Sequence, residues 1–389
     1  MSLSYRNLYT WFTLTALFLI LSGCSSKTLL IPDPLEPPFV FGPEVQLLWS
    51  TQVGKGAADA SLRLQQDTQN PEYLYLANTD SVLALKTATG KIVWEAVIGE
   101  VSSGVTQIND ALIAATFDGD IYALSKEDGQ VQWTTALSGE VLAPATATGT
   151  RISLQTNNGQ IVNLNQETGA VEWLLQNPKP ALSLRGNSSP LSVRSQVFTV
   201  DDNCKARMLD VRSGSVIWEH SLAIPSGSNE IDRLVDGDSQ PIALAENLYV
   251  ACYNNHVIRL HISDGTPLWQ HSTNTRIDLL LAGTNLIAVE DHSAHLVAID
   301  AVNGRTNWKN KKLQYRRLTN PVQWKEYILL GDEEGFIHML DDSGRIVGRF
   351  RPTKKPIRTL YLGSDSTATS SYLYILDHSG TLWVYADAS

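Results

Sequence analysis

Cysteine is scarce in this sequence, and the motifs of several common enzyme classes are missing. The chain has 389 residues but only three cysteines, Cys24, Cys204 and Cys252, so it has neither an adjacent Cys-Cys pair nor a Cys-x-x-Cys-His haem site. It also lacks a His-Glu-x-x-His motif, a Gly-x-Ser-x-Gly nucleophile turn and a phosphate-binding loop. We therefore predict a protein that is not an enzyme, with no catalytic residues, no metal site and no cofactor.

Positive charge is also in short supply. The chain carries 30 Lys and Arg against 40 Asp and Glu, a formal net charge of −10. An acidic protein is repelled by phosphate backbones and by anionic lipid head groups, which argues against nucleic acid or such lipids as the main partner. A local exception is the basic cluster between 309 and 317, which is interpreted as a solvated strand end or a secondary docking patch.

The apolar stretch near the start, Trp11 to Leu21, is shorter than the roughly 20 residues that a membrane-spanning helix needs. It follows the single charge of Arg6 and leads into Leu21-Ser22-Gly23-Cys24, a sequence typical of a bacterial lipoprotein signal. Residues 1–23 are thus predicted to be a signal peptide, and Cys24 the acylated residue that anchors the protein. Ser25 after the cysteine favours the outer membrane, with the protein facing the periplasm.

Residues 24–44 are predicted to be a lipidated, proline-rich tether, and residues 45–389 a single domain. The prolines favour an extended chain that rises about 3.1 Å per residue. Fully extended, such a segment would hold the domain roughly 60 Å from the lipid at most. The segment contains Pro32, Pro34, Pro37, Pro38 and Pro43.

What the sequence does contain is a repeat: glycine, three residues, tryptophan. In each copy an apolar strand precedes the glycine and a turn former stands directly before it, which predicts a β-hairpin with Trp on its second strand. Further strand-forming segments precede each hairpin, giving four strands in about 40 residues. The six copies are Gly90/Trp94, Gly129/Trp133, Gly169/Trp173, Gly214/Trp218, Gly265/Trp269 and Gly304/Trp308.

A period near 40 with four strands per repeat predicts an all-β fold, an eight-bladed β-propeller of four-stranded antiparallel blades. A seventh repeat has Gly344 but carries Gly348 in place of Trp. The eighth hairpin is divided between the chain ends, so residues 45–50 should pair with residues 380–385 and close the ring without an open edge. The recurrent Trp is expected to pack between blades, since six equivalent positions indicate a structural role.

Two successive repeats are longer than the others. The interval from Gly169 to Gly214 is 45 residues and that from Gly214 to Gly265 is 51, whereas the other intervals are 39 or 40. Both excesses fall in connections between blades, which share one face of a propeller, so the two insertions should lie side by side. They combine leucines with charged groups, a composition typical of protein-binding hot spots. The predicted partner-binding residues are Leu182, Leu184, Arg185, Asp232, Arg233, Asp236 and Asp238.

Internal bracing remains an alternative interpretation of these residues. Arg185 could pair with Asp232, Asp236 or Asp238 simply to hold the two insertions together, and Leu182 could fill a gap between blades. Both roles can hold at once.

The combination of lipoprotein signal, Trp-repeat propeller, Leu-Ser-Leu-Arg-Gly and Glu-Ile-Asp-Arg-Leu resembles the BamB family. The resemblance covers essentially the whole mature chain, and the two loop motifs are its most specific part. It implies a non-enzymatic periplasmic subunit of the machinery that inserts β-barrel proteins into the outer membrane. It further implies that Leu182, Leu184, Arg185, Asp236 and Asp238 contact the periplasmic domains of the barrel-forming subunit, BamA. Nascent barrel proteins are a second expected partner, through strand addition at outer blade edges.

Two alternatives come from other classes. Quinoprotein dehydrogenases share the Trp repeat and hold pyrroloquinoline quinone and calcium, but they are longer and typically carry the adjacent Cys-Cys disulfide that is missing here. A propeller that binds peptide or polysaccharide at the cell envelope is the other alternative.

Three further sets of residues could bind a metal, form a disulfide or bind a partner. His292 and His295 make a weak zinc pair, and the turn 332–334 (Asp-Glu-Glu) is interpreted as solvated rather than as a calcium site. The pairing of Cys204 with Cys252 stays open, because they lie on different repeats. The basic cluster consists of Lys309, Lys311, Lys312, Arg316 and Arg317.

Overall fold

The computed structural model describes residues 32, 34–35, 44–54, 64–180, 182–183, 186, 188–223, 228, 234–291, 293–364 and 371–387. Within these ranges the chain forms thirty-two β-strands in eight four-stranded antiparallel sheets. The same ranges contain no helix, and so none that could cross a membrane.

Blades 1 to 4 each use four consecutive strands, in sheet order. The first strand is short and the other three are longer. Blade 1 has β2 (Gln65–Gln66), β3 (Tyr73–Ala77), β4 (Ser81–Lys86) and β5 (Ile92–Val97); blade 2 has β6 (Thr106–Ile108), β7 (Ala111–Ala115), β8 (Asp120–Ser125) and β9 (Val131–Ala136); blade 3 has β10 (Thr146–Thr148), β11 (Arg151–Gln155), β12 (Gln160–Asn165) and β13 (Val171–Gln176); blade 4 has β14 (Leu191–Val193), β15 (Gln196–Val200), β16 (Lys205–Asp210) and β17 (Val216–Ser221).

Blades 5 to 7 repeat this order, and blade 8 combines the two ends of the chain. Blade 5 has β18 (Ile242–Leu244), β19 (Asn247–Ala251), β20 (Val257–His261) and β21 (Pro267–His271); blade 6 has β22 (Leu280–Ala282), β23 (Asn285–Val289), β24 (Leu296–Asp300) and β25 (Thr306–Asn310); blade 7 has β26 (Val322–Trp324), β27 (Tyr327–Gly331), β28 (Ile337–Leu340) and β29 (Ile346–Phe350); blade 8 has β30 (Ile357–Ser364), β31 (Ser371–Asp377), β32 (Thr381–Asp387) and β1 (Val45–Gln52).

The ring closes as the sequence predicts. β1 pairs antiparallel with β32, from Val45 opposite Asp387 to Gln52 opposite Thr381. Both chain ends are thereby held in one sheet, and the first and last blades share a buried core that contains Leu74 and Leu382. The eight-bladed propeller with a shared terminal blade is confirmed.

The core is distributed as layers between neighbouring sheets. In blade 1 the second and third strands are almost fully buried, whereas the fourth strand alternates between half-buried and exposed residues. The first strands of successive blades adjoin around the central axis. In such a ring the connections between blades share one rim with the turns that join second and third strands, and we call this the connection rim.

Each recurrent Trp locks one blade to the next. The ring of Trp94 in blade 1 lies against Gly129 in the hairpin turn of blade 2, where an added Cβ would come within 2.7 Å of the indole. Its Nε1 also donates to the carbonyl of Lys126, at 3.1 Å. The same glycine contact recurs for six more tryptophans: Trp49, Trp133, Trp173, Trp218, Trp269 and Trp308. The prediction that Trp packs between blades is confirmed.

The missing Trp of blade 7 has a geometric cause. A Trp at position 348 would face blade 8, whose outer hairpin consists of two separate chain ends and so has no glycine turn to pack against. Gly348 occupies the position instead, opposite Met339. The junction is filled by Phe350 against Tyr385, with ring centroids 5.0 Å apart.

Candidate functional site

The two insertions both belong to the connection rim. The first joins β13 of blade 3 to β14 of blade 4, and the second joins β17 of blade 4 to β18 of blade 5. They are neighbours because consecutive connections flank the same blade. This confirms that the insertions lie side by side on one face.

Two contacts join the insertions directly. Gly186 from the first lies so close to the carboxylate of Asp238 from the second that a Cβ at position 186 would overlap its oxygens. The side chain of Gln240 accepts from the backbone N–H of Ser189 at 3.1 Å and donates to its carbonyl at 3.2 Å. The rim segments therefore form one continuous surface.

The first insertion is anchored on the turns of blades 3 and 4. Lys179 forms an ion pair with Asp202 at 3.0 Å, and Asn203 donates to the carbonyl of Pro178 at 3.0 Å. At the other end, the buried side chain of Gln155 donates to the carbonyl of Ser188 at 2.8 Å. The buried bond of Gln155 fixes this end of the insertion because breaking it leaves unsatisfied groups.

The second insertion is anchored on the turns of blades 4 and 5. The N–H of Leu222 donates to the carbonyl of Cys204 at 3.0 Å, and the N–H of Tyr253 donates to that of Asp236 at 2.7 Å. Asn254 adds a side-chain bond to the carbonyl of Leu234 at 3.1 Å. Asp236 and Tyr253 thus form an isolated β-bridge between the insertion and blade 5.

The predicted contact residues differ in their positions. Leu182 is 44% exposed and lies on the rim surface. Asp236 is fully buried, and its Oδ1 accepts from the N–H of Gly237 at 2.8 Å. Asp238 is half-buried between the insertions. The remaining four lie outside the described residues: Leu184, Arg185, Asp232 and Arg233.

Of the two aspartates in the second insertion, Asp236 occupies an internal position, whereas the pairing with Arg185 that the bracing interpretation expects lies outside the described residues. A carboxylate with no exposed surface cannot pair with a partner while the rim keeps this conformation, so the position of Asp236 argues against direct contact. Its backbone carbonyl instead holds the insertion against blade 5, while its Oδ1 accepts from the N–H of the next residue within the insertion.

The environment where the two insertions meet disfavours the ionised form of carboxyl groups. Burial raises the pKa of Asp238 to about 6, and the nearby carboxylate of Asp202 adds to the effect. A hydrogen bond with Asp236 and the charges of Lys179 and Arg276 act in the opposite direction. Burial likewise raises the pKa of Asp202, against the lowering effect of its bond with Lys179. Two carboxylates that share a half-buried site disfavour ionisation of both.

A disulfide bond, which the sequence left open, joins Cys204 to Cys252 with their Cα atoms 5.9 Å apart. Both residues are fully buried in the core between blades 4 and 5. Their separation of 48 residues comes close to the length of one enlarged repeat, and aligning the turns of the two repeats would have suggested their proximity. The bond lies under the second insertion, next to its anchor points.

Two interpretations of surface charges are wrong. Asp332, expected to be solvated, is fully buried, and its Oδ2 accepts from Arg316 at 3.0 Å and from His338 Nε2 at 2.9 Å. Arg316, expected in a solvated basic cluster, is itself 5% exposed. The turn of blade 7 folds inward because these groups satisfy one another, which a linear sequence cannot reveal.

The protonation of this network follows from its donors. Arg349 Nε donates to His338 Nδ1 at 3.0 Å, so the ring proton lies on Nε2 and the imidazole is neutral. Burial lowers the pKa of His338. For Asp332, burial acts to raise the pKa, but the bond from His338 and other donors hold it below its ordinary value.

The remaining candidates are the basic cluster and the histidine pair. Lys309 forms an ion pair with Glu290 at 2.6 Å, whereas Lys311 is exposed. His292 lies outside the described residues. Among those that are described, no group of three or more His, Cys, Asp or Glu side chains is arranged around a common metal position.

The central channel contains a cavity of about 470 Å³ on the side of blades 5 to 8. Its lining mixes polar and apolar groups, including Asp278, Asn320, Arg358 and Tyr361.

Fold and site together define the class of protein: an eight-bladed β-propeller whose connection rim is enlarged by two interlocked insertions. A family model described as "Outer membrane protein assembly factor BamB" matches residues 78–310. A curated BamB of Pseudomonas aeruginosa is 35% identical, with 96% of this chain and 97% of that protein covered. The chain belongs to the BamB family of outer membrane protein assembly factors.

Solved structures support the fold. BamB from Moraxella catarrhalis superposes with a TM-score of 0.78 at 24% identity, covering 88% of this chain and 100% of that one. A quinohemoprotein alcohol dehydrogenase from Comamonas testosteroni superposes with a TM-score of 0.69 at 11% identity, covering 89% of this chain and 77% of that one. Likeness at such identities shows a shared propeller and nothing about chemistry.

Proposed function

We propose that this protein is a non-enzymatic scaffold of outer-membrane β-barrel assembly, which binds the periplasmic domains of BamA through its two insertions and so assists insertion of barrel proteins. One observation carries the proposal: the two consecutive insertions pack together on the connection rim, and Leu182 of the first insertion is exposed there. Its relatives are named as outer membrane protein assembly factors, which supports the same role.

The contact itself would centre on apolar and guanidinium groups rather than on the aspartates. Leu182 presents an apolar side chain at the rim, and Leu184 and Arg185 follow it in sequence. Side chains of this kind, when desolvated by a partner, supply most of the affinity of an interface. Asp232 and Arg233 are candidates for a polar periphery, and Asp236 and Asp238 for support of the insertion from within.

We place the protein at the periplasmic side of the outer membrane, anchored by acyl chains on Cys24. Leu35 packs against the core between blades 6 and 7, so part of the proline-rich segment lies on the propeller. The eleven residues that follow Cys24 and end at Leu35 span about 34 Å when extended, which is shorter than the roughly 60 Å expected for a wholly free tether. The scaffold would accordingly work close to the membrane.

Nascent barrel proteins are the second partner in this proposal. The fourth strands form the outer edges of the blades, and Val97 at the end of β5 is 72% exposed. An extended chain could add to such an edge through backbone hydrogen bonds.

A matched pair of variants tests the rim. Leu182→Ala should weaken binding to purified BamA periplasmic domains at least fivefold, because a hot-spot truncation costs more than about 1 kcal/mol. Leu268→Ala removes a leucine of similar exposure, 46%, from the outer strand of blade 5 and should leave binding unchanged. Titration calorimetry measures both.

A second variant addresses the residues that follow Leu182. Leu184→Ala/Arg185→Ala should lose BamA in a pull-down from envelope extracts. Undiminished recovery of BamA with this variant and with Leu182→Ala would refute the rim as the binding site.

A further inference from the structure

The Cys204–Cys252 disulfide is placed where it can control the shape of the rim. Cys204 lies in the turn between β15 and β16 of blade 4, and Cys252 directly follows β19 of blade 5. The bond therefore ties together the two turns that flank the second insertion.

Each of these turns holds one end of that insertion. At the start, the N–H of Leu222 donates to the carbonyl of Cys204 itself. Near the end, the N–H of Tyr253, the residue after Cys252, donates to the carbonyl of Asp236. The distance between the two anchor points is thus fixed by a covalent bond between the residues that carry them.

The restraint extends to the first insertion. Asp238, two residues beyond the anchored Asp236, lies against Gly186, and Gln240 exchanges two hydrogen bonds with Ser189. A shift in the second insertion would break these contacts and release the segment that carries Leu182. A contiguous set of contacts therefore leads from the disulfide to the exposed leucine.

We propose that the disulfide is a positioning element for partner binding, so that oxidation of Cys204 and Cys252 makes the rim competent to bind; this rests on the proposed function. Two thiols lose two electrons and two protons to a disulfide oxidant of the envelope, which becomes a dithiol. A dithiol reductant reverses the step and frees both turns. When the competent fraction of a surface falls, its apparent dissociation constant rises in inverse proportion.

The test compares the wild type with Cys204→Ser/Cys252→Ser. Binding to purified BamA periplasmic domains should weaken about tenfold, as for a competent fraction of about one tenth. Leu248→Ala is the matched control, because Leu248 is fully buried in the same core but does not anchor the insertion. It should lower the unfolding temperature without a comparable loss of affinity.

Amide hydrogen exchange supplies a local readout. In the serine variant, the amides of Leu222 and Tyr253 should exchange much faster, while those in blades 1 and 2 keep their protection. Loss of protection throughout the propeller would show a merely structural role and would count against the inference.

If the serine variant does not fold, the folded wild type can be reduced instead. Oxidised protein on a sensor surface is treated with a phosphine reductant, the affinity is measured, and the protein is then reoxidised; the affinity should fall and return. Equal affinity in both states overturns the inference while leaving the proposed function intact. Failure of the oxidised wild type to bind at all would instead overturn the proposed function.

Discussion

Gly186 lies directly against the carboxylate of Asp238, so that the two insertions meet at a point with no room for a single additional methyl group. One residue comes from the connection between blades 3 and 4 and the other from the connection between blades 4 and 5. The contact makes the conformation of each insertion depend on the other.

Gly186→Ala should weaken BamA binding at least fivefold, because the new Cβ overlaps the Asp238 oxygens and either this carboxylate or the loop must leave its position between the insertions. The control is Gly283→Ala, where an added Cβ meets open space but a φ of +60° imposes backbone strain. That control should lose about 1 kcal/mol of stability and retain binding. Calorimetric titration of both variants decides; equal affinities would contradict the coupling.

Asp238→Asn should stabilise the protein at neutral pH. Because the pKa of Asp238 is raised from 3.8 to about 6, ionising it in the folded state costs up to about 3 kcal/mol more than in the unfolded chain. The folded state binds the extra proton, so the contribution of this group to stability falls as pH rises from about 4 to 6. Asn cannot ionise and avoids this loss.

Urea unfolding at pH 4 and pH 7.5 measures this effect. The difference between Asp238→Asn and wild type should be large at pH 7.5 and small at pH 4, since all other titrating groups are shared. Asp118→Asn, at an exposed turn residue, is the control for the substitution itself. A difference for Asp238→Asn that does not change with pH would contradict the prediction.

Gly129→Ala should disrupt the lock between blades 1 and 2. Gly129 has a φ of +73°, and its added Cβ would come within 2.7 Å of the Trp94 ring. Gly149 has a similar φ of +63° but open space around it, so Gly149→Ala should cost about 1 kcal/mol for the backbone alone. The clash should lower the free energy of unfolding of Gly129→Ala by about a further 1–3 kcal/mol. Thermal unfolding of the pair isolates the Trp contact, and similar losses would exclude a tight lock.

Asp332→Ala should be strongly destabilising. The substitution leaves Arg316 and His338 without their shared acceptor in the interior, and breaking a buried ion pair costs about 3–5 kcal/mol. Asp118→Ala, in the equivalent turn of blade 2 but exposed, should change the free energy of unfolding by less than about 0.5 kcal/mol. Chemical denaturation of both variants measures the difference. A small loss for Asp332→Ala would mean that water replaces the carboxylate.

Most of the fold could be predicted because its signals are local and repeated. The turn glycine, the following Trp and the strands before them lie within about ten residues of one another, and each repeat confirms the others. The division of blade 8 between the chain ends was also predictable, since Trp49 had no hairpin of its own. The sequence shows that blade 7 lacks the Trp but does not explain why, because the cause lies in the facing blade.

Less of the candidate site could be predicted. The lengths of the two insertions predicted where the site lies, and their composition indicated Leu182 and the aspartates as contact residues. Burial of Asp236, however, depends on its bridge to Tyr253 in the next blade. The anchors Lys179, Gln155 and Gln240 were missed because isolated polar residues near turns look solvated in a sequence.

The sequence by itself determined the repeat, and with it the number of blades, the place of every lock and the position of the two overlong connections. Those features depend on residues close together along the chain. Only the tertiary structure decided which acidic groups are buried, that Cys204 meets Cys252, and that Gly186 touches Asp238. These outcomes depend on how neighbouring sheets and turns approach one another in space. A linear sequence does not show that approach, as for Cys204 and Cys252, which lie 48 positions apart.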